Sequence, residues 1–152
     1  MGSVDFLKPE YYKNRELSWI QFDDRILAEA RDKSLPLFER LKFLSSSASN
    51  LDEFFMIRVA SLKDMVNAGY KKPDIAGMTP AMQLDAINED VHELVNLQYS
   101  TLLRSLVPAL RNCGLNFVKE HEALDEAQSA YVDRYFMENV YPVLTPDRKS
   151  VV

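Results

Sequence analysis

Asn50 is the residue whose chemistry stands out first. Its side-chain amide sets a hydrogen-bond donor beside an acceptor, the pattern that an adenine edge complements. The structural alternative is a helix cap, because Asn50 is followed three residues later by Glu53, its capping-box partner. Asp52 and Glu53 are adjacent, so on a helix they point about 100° apart and do not converge on one ion. In a first turn they would instead complement the positive end of the helix dipole, and Asp23-Asp24 carries the same ambiguity. Arg58 lies one turn after Phe54, where it either lies across that face or anchors a nucleotide phosphate or a neighbouring domain. The chain has two histidines. His92 has no basic cluster nearby to hold phosphate, and His121 sits within the acidic stretch Glu120-His121-Glu122, so both read as structural or solvated. No closely spaced His or Cys ligand pairs and no glycine-rich phosphate loop occur, so no catalytic residue and no metal ligand is assigned.

The elements that position these residues read as helices. Only four glycines and few β-branched runs favour that class. Ser18 with Gln21 forms a capping-box pattern, and Leu17 with Phe22 a hydrophobic staple, which predicts a first helix to about Asp32 along Trp19, Phe22, Ile26 and Ala30. Ser34 and Pro36 announce a second helix with Leu37, Leu41 and Leu44 on one stripe. The serine-rich tract 45–49 predicts a break, with Asn50 capping a third helix along Leu51, Phe55, Val59, Leu62 and Val66 that ends at Gly69. After a loop over 70–79, Thr79-Pro80 opens the longest helix, to about residue 112 and about 50 Å long at about 1.5 Å per residue, with Pro108 kinking or splitting it. Beyond Gly114, residues 115–118 read as a short extended segment, Asp125 to Asn139 as a last helix, and 140–146 as extended exit chain because of Pro142 and Pro146. The expected fold is all-α, an antiparallel helical bundle with one long helix (about 80–112) and short extended segments near the C-terminus.

At 152 residues the chain accommodates one domain and the start of another, with the boundary expected at 113/114. The net charge of −5, with Lys and Arg scattered among 23 acidic residues, excludes this segment as a polyanion cradle or a nucleic-acid surface. No stretch approaches the roughly 20 apolar residues of a membrane span, and the N-terminus carries no secretory pattern. Cys113 stands alone, which fits a reducing compartment and hence a cytoplasmic location.

Three ordered blocks go beyond generic helix. The segment from Asn14-Arg15-Glu16-Leu17-Ser18-Trp19 to Leu27, the block from Pro36 to Leu44, and Asn50-Leu51-Asp52-Glu53-Phe54-Phe55 through Ala60 resemble, in order and spacing, the N-terminal opening of bacterial polyphosphate kinases. The stretches 106–115 and 140–146 add weaker agreement. The resemblance implies a helical N-terminal domain at 1–113 and the beginning of a second, dimer-contacting domain at 114–152. It implies a parent enzyme that transfers the terminal phosphate of ATP reversibly to polyphosphate through a phosphohistidine with Mg²⁺. The phosphohistidine and the Mg²⁺ ligands are expected in later domains, and the parent is expected to be a homo-oligomer. It carries one site residue onto this chain, Asn50, as an ATP-binding residue that contacts the base. The tail 147–152 departs from the family's continuation, which reads as a truncated, frameshifted or excised fragment. A reading from a different class is a non-enzymatic helical interaction or dimerisation module.

Overall fold

The computed structural model describes residues 6–145. It divides into two compact units, Met1–Gly114 and Leu115–Val152.

The first unit is built from α1 (Arg15–Arg31), α2 (Leu37–Phe54), α3 (Ala60–Asn67), α4 (Pro80–Thr101) and α5 (Val107–Asn112). A π-helical turn at Phe55–Val59 joins α2 to α3, and another at Leu102–Leu106 joins α4 to α5. The helix therefore starts earlier than Ser18. Asn14 is the cap, its Oδ1 accepting from the backbone N–H groups of Glu16 and Leu17 at 2.9 and 3.0 Å. Ser18 lies inside α1, so neither its capping box nor the Leu17–Phe22 staple forms.

The expected break at the serines does not occur, and residues 37–67 run on as one helical rod with a π turn in it. Leu44, Ser47, Leu51 and Phe54 recur at steps of three, four and three on the buried face. Ser47 occupies a core position because its hydroxyl has tertiary partners there. Tertiary packing thus overrides the weak helix preference of serine. Asn50 is in consequence an interior residue of α2 and caps nothing.

Other boundaries follow the sequence closely. Thr79 caps α4 through its Oγ1, with Pro80 at the first helical position. Gly69 ends α3 at φ +73°, with Tyr70 N–H reaching back to the Met65 carbonyl and Gly69 N–H to that of Val66, a paired closure that favours glycine. Pro108 neither breaks nor detaches the end of the long rod; the π turn just before it widens the backbone ladder where proline supplies no N–H.

Hydrogen bonds between helices fix their directions. Arg40 Nε donates to the Ala30 carbonyl, Asn50 Nδ2 to Asp23 and Arg58 Nη1 to Glu16, so numbers climb along α2 and its extension as they fall along α1. Gln98 to Ser47 and Arg40 to Ser105 set α4 antiparallel to α2 in the same way. The core between them holds Ile20, Leu27, Leu44, Phe54, Ile87, Leu94 and Leu106. The all-α class is as expected, and among the described residues there is no strand.

The second unit carries α6 (Glu126–Tyr135), opened by a capping box of Asp125 with Gln128, and a following π turn at Phe136–Val140. Residues 141–143 form a 3₁₀ turn rather than extended chain, and Pro142 is tolerated there because the N–H groups of a first turn have no partner within the helix. Pro146 and the divergent tail lie outside the described residues. None of the second unit's described residues is buried.

Candidate functional site

Asn50 lies on the wall of an open cleft of about 250 Å³, whose lining includes Trp19, Phe22, Phe54, Glu53 and Arg58. α1 supplies two of the aromatic rings and the α2 rod supplies the rest. Trp19 stacks on Phe54 at 4.3 Å between ring centres and 9° between planes, which makes it more than core filler: it is half-buried and borders the cleft. Phe22, expected on the buried stripe, is 46% exposed; the core stripe of α1 is Ile20, Asp23, Leu27 and Ala30. The cleft thus offers aromatic faces, an amide and a guanidinium at one place.

Behind Asn50 runs a chain of buried hydrogen bonds that sequence reasoning did not find. Asp23 and Ser47 are fully buried. Asn50 Nδ2 donates to Asp23 Oδ1 at 3.1 Å, Ser47 Oγ donates to Asp23 Oδ2 at 2.9 Å, and Gln98 Nε2 donates to Ser47 Oγ at 2.9 Å. Burial pushes the Asp23 carboxyl above its ordinary value, while the bonds from Asn50 and Ser47 pull it back and neighbouring Asp24 adds a small upward push. The only hint in the sequence was polar residues at core spacing, Asp23 between Ile20 and Leu27 and Ser47 between Leu44 and Leu51.

Arg58 is held as well. Its Nη1 lies 2.9 Å from Glu16 Oε2, and Arg15 contacts the other oxygen of Glu16 at 2.6 Å. The Glu16 side chain is 5% exposed and that of Arg58 35%, so a buried carboxylate fixes a guanidinium at the cleft edge. Asp52 and Glu53 are both exposed, and Glu53 alone of the two lines the cleft. His92, which does not line the cleft, is exposed on α4 with Nδ1 2.6 Å from the Asn88 carbonyl; within the second unit His121 Nε2 is 3.0 Å from Asp133. Among the described residues no three His, Cys, Asp or Glu side chains are placed to share a metal ion. Nor is any helix there long and apolar enough to cross a membrane.

The fold and its cleft define an all-helical domain with a preorganised polar and aromatic recess. The chain belongs to the family of polyphosphate kinase N-terminal domains, whose model matches residues 12–118. It is 49% identical over 143 residues to the polyphosphate kinase of Lactiplantibacillus plantarum, covering 94% of this chain and 20% of that protein. It is 47% identical over 146 residues to that of Halalkalibacterium halodurans, covering 95% and 21%. The crystal structure of polyphosphate kinase from Porphyromonas gingivalis superposes with a TM-score of 0.73 at 32% identity, covering 88% of this chain and 18% of that one. The chain thus spans about a fifth of the relatives it matches.

Proposed function

We propose that this chain is the N-terminal portion of a polyphosphate kinase that moves the terminal phosphate of ATP reversibly onto polyphosphate. Its own part is to hold the adenine base and to assemble with the remaining domains. The single observation that carries the base-binding role is the position of Asn50, whose amide is anchored from behind and borders a recess walled by Trp19, Phe22 and Phe54. A purine ring fits such a place, with its faces against aromatic carbon and its edge toward an amide. Arg58, fixed by Glu16, adds a cation at the rim for a phosphate group.

The phosphoryl-transfer chemistry belongs to other parts of the enzyme. His92 does not line this cleft, and the acidic balance of the chain suits a base-binding wall better than a polyphosphate channel. Mg²⁺ would neutralise charge on the transferring phosphate, but the described carboxylates do not fit a site for it, so no step is assigned to the ion here. The second unit, Leu115–Val152, is read as the beginning of the next domain, and the enzyme as a cytoplasmic homo-oligomer. Exposed Tyr131, Tyr135, Phe136 and Tyr141 supply apolar surface that further domains or a second copy would cover.

The test is Asn50→Ala in the complete enzyme. The Michaelis constant for ATP is predicted to rise about tenfold, the value of one lost hydrogen bond with its geometry, while that for polyphosphate changes little. Unaltered ATP kinetics in a folded variant would remove Asn50 from the site.

A further inference from the structure

An asparagine facing a purine is ambiguous by itself. Its amide can rotate by half a turn and exchange donor for acceptor, so a free asparagine serves a 6-amino purine and a 6-oxo purine alike. The arrangement behind Asn50 removes that freedom. We propose that Asp23 is a specificity-determining positioning residue: by accepting from Asn50 Nδ2, it fixes the Asn50 carbonyl as the acceptor offered to the cleft and so selects a 6-amino purine. The inference rests on the reading of the cleft as a base site and adds the residue that sets its preference.

The direction of every bond in the chain supports this. The Gln98 amide nitrogen can only donate, so Ser47 Oγ accepts from it and spends its own hydrogen on Asp23 Oδ2. With Oδ2 so engaged, Asp23 Oδ1 accepts from the one remaining neighbour, the Asn50 amide nitrogen. A rotated amide would set the Asn50 carbonyl against the Asp23 carboxylate, oxygen against oxygen, at a part-buried contact with the buried Asp23 where water screens such repulsion less than in bulk. The outward pair is then Oδ1 and the second N–H. Adenine presents a donor from its 6-amino group beside a ring-nitrogen acceptor and complements that pair; hypoxanthine presents a carbonyl at the same place and opposes it.

The experiment measures equilibrium binding of ATP and of inosine triphosphate to the complete enzyme by calorimetry, for wild type, Asn50→Ala and Asp23→Asn, with folding of each checked by thermal melts. Wild type should bind ATP at least about tenfold more tightly than inosine triphosphate, and equal affinities would overturn the inference without any variant. Asp23→Asn puts an amide where the carboxylate was, and this can pair with either orientation of Asn50; the ATP preference should fall to within about threefold of unity. Where that variant fails to fold, Asp23→Ala, which leaves Asn50 without an anchor, should show the same loss. A retained preference in a folded Asp23 variant would overturn the positioning role while the base site stands, provided Asn50→Ala weakens ATP. If Asn50→Ala leaves ATP affinity untouched, the base site itself is wrong and the inference falls with it. A merely structural role for Asp23 would lower both affinities together and leave their ratio intact.

Discussion

Asp23 is expensive to bury, and the fold retains it with two hydrogen-bond donors on its two oxygens. Because burial raises its pKa in the native state, the protonated carboxyl favours folding. That contribution is fully present below the unfolded carboxylate value and is lost as pH rises through the raised native value. Asp23→Asn cannot titrate, so the stability of wild type minus that of the variant is predicted to decrease with rising pH through this range. Urea midpoints at stepped pH measure it; a difference that increases would contradict the assignment. The same contact changes what substitutions at Asn50 mean. If Asn50 capped a helix, aspartate would replace it well, but in place it would set a second carboxylate against Asp23. Asn50→Ala is therefore the cleaner probe. Position 50 was legible in the sequence as a chemical group through the family blocks, but its Asp23 partner, 27 residues away, was not, since no local pattern reports a contact across helices.

At the scale of elements, boundaries with local chemistry were readable and those set by tertiary partners were not. Thr79-Pro80 and Gly69 announce themselves through a hydroxyl acceptor, a missing N–H and a positive φ. The start of α1 was misplaced because Asn14 and Ser18 are both good caps, and the choice is made by Asp74. Its carboxylate accepts from Asn14 Nδ2 at 2.7 Å and from the Met78 backbone N–H at 2.8 Å, tying the 70–79 loop to the head of α1. The prediction is asymmetric. Asn14→Ala should destabilise the domain by about 0.5–2 kcal/mol through loss of the cap, whereas Ser18→Ala, at an exposed helical position, should stay within about 0.5 kcal/mol of wild type. Chemical denaturation of the two variants decides it, and a larger loss at Ser18 would restore the later start. The π turn at Phe55–Val59 follows directly on the cleft-lining Phe54, and Asn50, Glu53, Phe54, Ile57 and Arg58 line the recess at steps of three and four, the spacing of one helix face.

At the scale of the molecule, the first unit has a continuous core and the second has no buried residue among those described. The bundle class was legible because apolar spacing of three and four persists over Ile87, Val91 and Leu94 and again over Leu37, Leu41 and Leu44, all of which pack in or against the core. The family was legible because three blocks kept their order, and the family match over residues 12–118 includes all three. The proposal at stake is that this N-terminal unit holds the base of ATP while later domains hold the reacting phosphate. A crystal structure of the complete enzyme with a non-hydrolysable ATP analogue tests it most directly. The purine is expected in the recess of Trp19, Phe22, Phe54 and Arg58, its 6-amino group within hydrogen-bonding distance of Asn50 Oδ1; a base bound outside that recess, with Asn50 Oδ1 facing solvent, would contradict the proposal.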